Sequence, residues 1–340
     1  MNKLSKEEKF YLITRNLKEI LGSDDLRDII EKKDPSVYWG TATTGRPHIA
    51  YILPLLKIKD FIDAGCEVKI LLADIHAFLD NLKANFDEID SRTEYYRILI
   101  TETLKMLNVT KGFTLVKGSD FQTDKNYTLD LYKICSLTSE RDARKAGASV
   151  VKQLDNPLIS SLIYPSMQAL DEQYLDVDIQ FGGLDQRKIF TYAMKYLPKL
   201  GYKKRVHLMN FMVPGLNGDK MSASDINSKI DFLDDGKTIR NKIKKCFCEE
   251  GNTDTGLLPL MKHVIFPVFE ILDRKVTIKR EDGTELEFGN YEMLEKMFAE
   301  KKVHPQDFKI ALSEMLNTII EPVRNEMVKH SELIKKAYKR

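Results

Sequence analysis

The chain has 340 residues, 43% of them hydrophobic and 31% charged, with 53 basic against 51 acidic side chains and a net charge of +2. At roughly 150 residues per domain this length predicts two domains with ample core, and excludes a small scaffold that needs disulfide or metal staples. The charge balance excludes a nucleic-acid module recognisable from bulk charge, and the composition excludes a disordered chain. The four cysteines, Cys66, Cys135, Cys246 and Cys248, have neither zinc spacing nor the Cys-x-x-Cys redox pattern. They read as reduced thiols of the cytosol. Met1–Glu19 lacks an apolar signal core, and apolar stretches such as Val264–Phe269 are too short to cross a bilayer. A cytoplasmic protein with no membrane partner is expected.

In chain order, Leu4, Phe10, Leu12, Ile13, Leu17, Ile20 and Leu21 fall at helical spacing and predict one helix over 4–21, stopped by Gly22. Val37-Tyr38-Trp39 predicts a short buried strand ending at Gly40. After the turn Thr41–Arg46, Pro47 suits a first helical position, and the helix runs through Ile52, Leu55, Leu56, Ile58 and Phe61 to Gly65. Val68–Ala73, Thr114–Val116, Ile179–Phe181 and Val206–Met209 read as strands, and Glu88–Leu107 and Gln186–Tyr196 as helices. The alternation predicts an α/β fold with a doubly wound parallel sheet. Near residue 231 the pattern becomes mostly helical. Val264–Leu272 suits either a strand or a buried helix, and the basic segment Arg274–Arg280 interrupts the helical pattern. A domain boundary is expected at about Lys229–Asp234, separating 1–231 from 232–340.

Two segments carry chemistry. Trp39–His48 is a strand, a glycine turn and a helix start, with Gly40 and Gly45 letting backbone approach a ligand and His48 in the first turn. It is neither a Walker loop nor a G-x-G-x-x-G fingerprint. Val213–Ser224 is a polar loop with Gly215 and Gly218, and its Lys220 suits closure over a phosphate chain as a point charge. Singly, an ordinary βα connection explains the first and a solvated loop the second.

Together they resemble a family. His48-Ile49-Ala50-Tyr51 resembles the HIGH signature, and Lys220-Met221-Ser222-Ala223-Ser224 the KMSKS signature, of class I aminoacyl-tRNA synthetases. Tyr38–Gly45, Tyr164-Pro165 with Gln168–Asp171, and Phe181-Gly182-Gly183 with Asp185-Gln186-Arg187 resemble the tyrosyl-tRNA synthetase family of the archaeal and eukaryotic cytosolic type. The likeness runs from about Phe10 to about Arg324.

The resemblance implies a Rossmann-like catalytic domain with a connective insert at about 115–165, then a mostly α-helical anticodon-binding domain. It implies activation of L-tyrosine by ATP to tyrosyl-adenylate and pyrophosphate, then transfer to the 3′-terminal adenosine of tRNA(Tyr). His48, Tyr51, Lys220, Ser222 and Ser224 are the implied catalytic residues. Gly40, Thr43, His48, Gly183, Asp185 and Lys220 would bind ATP. Tyr38 and Asp171 would read the substrate hydroxyl, with Tyr164, Gln168 and Gln186 on its ammonium group. Mg²⁺ is expected with ATP, and no metal held by the protein itself. A homodimer is expected. Tyr164, Gln168 and Asp171 at i, i+4 and i+7 also share one helix face irrespective of family. Asp171 alone would read as a helix cap or a surface acid, and Asp185 as the N-cap of the following helix.

Two departures stand out: Tyr51 replaces the second histidine of HIGH, and Ala223 the second lysine of KMSKS. On the tRNA side, His304-Pro305-Gln306-Asp307 matches a segment that reads the first anticodon base, although Asp307 also suits a helix N-cap. Lys279–Thr284 lacks the aromatic that relatives stack there, leaving Phe288 or Tyr291. Lys117, Arg141, Arg144, Lys145 and Lys152 flank the insert that would dock the acceptor stem. Three other readings share some of these features: a tryptophanyl-tRNA synthetase, a small-molecule nucleotidylyltransferase, and a non-catalytic RNA-binding or signalling paralogue.

Overall fold

The computed structural model describes residues 4–80, 86–151, 158–216 and 229–339. Lys220, Ser222, Ser224 and Lys152 lie outside them. Among the described residues, the first helix, α1 (Lys6–Thr14), opens with a capping box in which Ser5 and Glu8 satisfy each other's backbone. It does not continue to Gly22. Asn16 takes a left-handed φ of 58°, and Leu17–Leu21 forms β1. This strand pairs antiparallel with the strand Val206–Asn210, where Leu17 faces Asn210 and Leu21 faces His207. Covering an otherwise open sheet edge outweighs the helical spacing of its apolar residues. Gly22, at φ 87°, then leads into α2 (Ser23–Lys32).

The sheet continues with β2 (Ser36–Ala42), β3 (Glu67–Ala73), β4 (Phe113–Lys117), β5 (Ile179–Gly183) and β6 (Val206–Asn210). Its order is β1-β6-β5-β2-β3-β4, parallel throughout except for β1. Strands β5 and β6 are almost wholly buried, as expected of parallel strands covered on both faces. The chain leaves β2 toward β3 and β4 on one side and returns to β5 and β6 on the other. The carboxyl ends of β2 and β5 therefore flank the crevice where open α/β sheets bind ligands.

Helices α3 (Ile52–Asp63), α4 (Asp74–Leu79) and α5 (Phe86–Met106) follow β2 and β3. Between β4 and β5 lie α6 (Ser119–Gln122), α7 (Lys125–Leu137), α8 (Glu140–Gly147) and α9 (Ile159–Tyr174). α10 (Arg187–Tyr196) joins β5 to β6, and its Tyr192, Ala193 and Tyr196 share an apolar cluster with Tyr127, Met167 and Leu170. That cluster packs α9 against α7 and α10.

The remainder is α11 (Gly236–Lys245), α12 (Leu258–Leu260), α13 (Phe266–Ile271), α14 (Tyr291–Ala299), α15 (Pro305–Met327) and α16 (Ser331–Ala337), with a hairpin of β7 (Val276–Lys279) and β8 (Glu285–Phe288). Val264–Leu272 is thus helical, entered through a wide turn at Met261–Ile265. The basic segment holds a strand that its charges disguise. Val276 and Ile278 point inward, Thr277 and Lys279 outward, and Gly283 at φ 84° closes the turn. Apolar residues of these helices join the sheet's own core in one continuous cluster.

Candidate active site

A cavity of about 570 Å³ opens at the carboxyl ends of β2 and β5. Gly40 and Tyr51 line it with the five residues expected to hold tyrosine, namely Tyr38, Tyr164, Gln168, Asp171 and Gln186. His48, Gly183 and Asp185 line it as well. Thr43 lies just behind, fully buried, with its hydroxyl 3.4 Å from that of Thr93.

Asp171 comes from α9, one helical turn beyond Gln168. Gln122 Nε2 and the Tyr127 hydroxyl both donate to its Oδ1 at 2.8 Å. Its Oδ2 is buried without a hydrogen-bond partner and lies 3.6 Å from His76 Nε2. Burial pushes the carboxyl up to about 7, against the two donors that favour its charge. Burial also drives the His76 imidazole down to about 3, so it is neutral and offers Asp171 no countercharge. The Tyr38 hydroxyl accepts from Gln180 Nε2 and lies 3.4 Å from the Gln168 carbonyl. A buried acceptor and a tyrosyl hydroxyl thus line one pocket, ready for a hydroxyl that both donates and accepts.

Farther along α9, Gln168 Nε2 donates to Gln186 Oε1 at 2.8 Å, which joins two of the expected ammonium ligands. The Tyr164 ring meets His76 edge-on at 4.7 Å between centroids. Asp74 stays out of the cavity, because Ser119 N donates to its Oδ1 at 2.9 Å.

The wall of the cavity at the end of β5 is shaped by what glycine omits. A Cβ on Gly182 would sit 2.7 Å from Gln186 Oε1 and 2.9 Å from Phe190 Cζ. On Gly183 it would sit 2.5 Å from Asp185 Oδ1. Asp185 is not the N-cap of α10. It lies in a tight turn, Leu184–Gln186, so the helix starts only at Arg187 with Gln186 before it.

The histidine segment also differs from expectation. His48 is extended, with φ −131° and ψ 173°, and the tight turn Ile49–Tyr51 begins after it rather than at Pro47. The cause lies across the chain. His48 forms an antiparallel bridge with Asp231, and Ile49 N donates to the Ile230 carbonyl at 2.9 Å. Tyr51 packs edge-on to His48 at 5.6 Å, and its hydroxyl lies 3.0 Å from Thr41 Oγ1. Met212 and Val213 line the cavity, while Lys229 donates to the Arg46 carbonyl at 3.0 Å. The described chain on either side of 217–228 thus meets the cavity wall at Met212 and Val213 and the turn before His48 at Lys229.

Among the described residues, no group of three or more His, Cys, Asp or Glu side chains forms a metal cluster.

On the C-terminal helices, His304 is the N-cap of α15, with Gln306 N donating to its Nδ1 at 3.2 Å, so Asp307 is left in the first turn. Phe288 and Tyr291 are core residues and present no free face. The exposed aromatic is Phe247, 69% accessible, just after α11. Lys309 of α15 reaches that same stretch, donating to the Cys246 carbonyl at 2.6 Å. Lys117 pairs with Asp90 and the exposed Arg144 with Glu140, and Arg141 and Lys145 are exposed as well.

Sequence reasoning missed Gln122, Tyr127 and Gln180. Gln180 alone left a local trace, a polar residue inside an apolar strand.

A family model described as tRNA synthetases class I (W and Y) matches residues 31–321. The chain is 55% identical over 336 residues to a probable cytoplasmic tyrosine–tRNA ligase of Encephalitozoon cuniculi, covering 98% of this chain and 100% of that protein. It is 47% identical to the cytoplasmic tyrosine–tRNA ligase of Saccharomyces cerevisiae, over 96% of this chain and 85% of that one. The solved tyrosyl-tRNA synthetase of Archaeoglobus fulgidus, complexed with L-tyrosine, matches with a TM-score of 0.87 at 34% identity, covering 95% of this chain and all of that one. The chain belongs to the class I tRNA synthetases of the tryptophan and tyrosine family, among the tyrosyl-tRNA synthetases of the cytosolic type.

Proposed function

We infer that this enzyme is a cytoplasmic tyrosine–tRNA ligase that reads its amino acid through Asp171 and Tyr38. The supporting observation is the buried Asp171 Oδ2, which lacks a hydrogen-bond partner until a phenol hydroxyl donates to it. Phenylalanine would leave that acceptor unpaired, at a cost of about 1–3 kcal/mol or more. Indole would bring no hydroxyl either. Tyr164, Gln168 and Gln186 hold the ammonium group, which fixes the carboxylate toward the phosphate side.

The tyrosine carboxylate attacks the α-phosphorus of ATP, a P–O bond forms, and pyrophosphate leaves with the bonding electrons. A ribose hydroxyl of the tRNA 3′ adenosine then attacks the tyrosyl carbonyl, and AMP leaves. The first step requires no protein nucleophile. Catalysis rests on positioning and on stabilising charge at the phosphates. His48 and Lys220 supply that stabilisation, aided by Ser222 and Ser224, while Mg²⁺ enters as the counterion of ATP. Tyr51 acts by buttressing the His48 ring, since its own hydroxyl is engaged by Thr41. Gly40, Gly183 and Asp185 seat the adenosine, while Thr43, expected to bind ATP, is fully buried behind the cavity wall and makes no contact with a ligand there.

His304 and Asp307 contact the anticodon of tRNA(Tyr). The exposed apolar side chains Leu129, Tyr132 and Leu137 on α7, with Leu158 and Ile159 opening α9, form the contact of a homodimer. Sedimentation giving a monomer at micromolar concentration would remove that part of the reading. The function itself is tested by pyrophosphate exchange with tyrosine, tryptophan and phenylalanine, followed by charging of tRNA whose first base pair is C–G or G–C. Exchange with tyrosine and preference for C–G are expected; exchange with tryptophan instead would refute it.

A further inference from the structure

Arg92 carries no role in the reading above, yet it joins two distant parts of the chain. Its side chain is 12% exposed on α5, where Nη2 donates to Glu88 Oε2 at 2.6 Å. Nη1 donates to the Thr44 carbonyl, in the turn after β2, at 2.7 Å. Nε donates to the Ala337 carbonyl, at the end of α16 and 245 residues away in sequence, at 2.9 Å. The Tyr338 ring lies 5.2 Å from the guanidinium carbon and meets Tyr95 edge-on at 5.2 Å. One residue on, the Tyr96 hydroxyl donates to the Gly45 carbonyl at 2.6 Å.

Two successive carbonyls of the turn are therefore held from α5. In a planar trans peptide the C=O and the next N–H point in opposite directions. Fixing the Thr44 and Gly45 carbonyls toward α5 aims the Gly45 and Arg46 amides away from it. Thr44 and Gly45 line the cavity, and neither Arg92 nor Tyr96 does. The guanidinium has a rigid fork, so it reaches Thr44 and Ala337 together only when α16 is docked. If α16 lifts, Nε loses its acceptor, the guanidinium turns, and the Thr44–Gly45 peptide is released.

We propose that Arg92 is a positioning residue for ATP, which makes the amides of the Thr44–Gly45 turn depend on the docking of the C-terminal helix α16. The proposal rests on reading that turn as the phosphate site. It gives the helices beyond residue 231 a route to the activation step that bypasses the tyrosine pocket.

The test is tyrosine-dependent pyrophosphate exchange by the full chain carrying Arg92→Gln, Arg92→Lys or Tyr338→Ala. Tyr338→Ala matters most, because it leaves the Arg92–Glu88 pair and every cavity residue intact. KM for ATP is expected to rise about tenfold in Arg92→Gln and about threefold in Tyr338→Ala, with KM for tyrosine within about twofold of the parent. Arg92→Lys, which keeps the charge but lacks the fork, should fall between the parent and Arg92→Gln. An active parent whose Tyr338→Ala variant melts normally and shows no change in KM for ATP would overturn the proposal. Equal rises in both KM values would overturn it too, since they would mark a general structural role. A parent with no tyrosine-dependent exchange would overturn the phosphate-site reading, and the proposal with it.

Discussion

The Tyr127 hydroxyl donates to Asp171 Oδ1 at 2.8 Å, from α7 to α9, and so leaves Oδ2 as the open acceptor of the cavity. Helix α7 thereby fixes the orientation of a carboxylate that lines the cavity.

This arrangement has a pH signature. Burial raises the Asp171 carboxyl from its ordinary 3.8 to about 7, so the empty site loses its acceptor charge as pH falls through that value. The kcat/KM for tyrosine should fall below about pH 7, in the profile that reports the free enzyme. Tyr127→Phe removes a bond that favours the charged form, and should move the inflection upward. A flat profile from pH 6 to 8.5 would contradict it.

The same shift sets a cost in stability. A carboxyl whose folded pKa lies above its unfolded value favours the fold below about pH 4, and that contribution is lost as pH rises through about 7. Asp171→Asn should accordingly melt higher than the parent at pH 8, with the gap closing toward pH 5. Calorimetry at the two pH values checks the sign.

Gly182 leaves no room for a Cβ, which would lie 2.7 Å from Gln186 Oε1 and 2.9 Å from Phe190 Cζ. Phe190 is buried and cannot swing away. Gly182→Ala should cost about 1–3 kcal/mol of stability and displace Gln186, with KM for tyrosine rising. Unchanged melting and KM would show that the contact yields freely.

On the tRNA side, Asp307→Ala and Phe247→Ala should lower kcat/KM for charging tRNA about tenfold or more while leaving pyrophosphate exchange intact. With a net charge of only +2, the chain must grip tRNA through local basic contacts, and its tRNA affinity should fall clearly between low and physiological salt. Binding curves at two salt concentrations measure this.

Much of the site was legible because its signals are local. Tyr164, Gln168 and Asp171 share a helix face by spacing alone, and the parallel strands are apolar runs bounded by glycine. The failures share a different cause. Leu17–Leu21 has helical spacing but is drawn into the sheet by β6, with Asn16 as the overlooked break. His48 is held out of the helix by Asp231, far along the chain. Gln122 and Tyr127 reach Asp171 from 49 and 44 residues away, a distance at which no pattern survives. The hairpin β7–β8 did leave a sign, the alternation at Val276–Lys279 and the turn at Asp282-Gly283, but the basic residues obscured it.

The most direct test of the central claim is adenylate formation with tyrosine and with phenylalanine, in the parent and in Asp171→Asn. The parent should strongly prefer tyrosine, and the variant should narrow that preference by about tenfold or more, chiefly through weaker use of tyrosine. If the ratio of the two kcat/KM values were the same in both proteins, Asp171 would not be the residue that reads the hydroxyl.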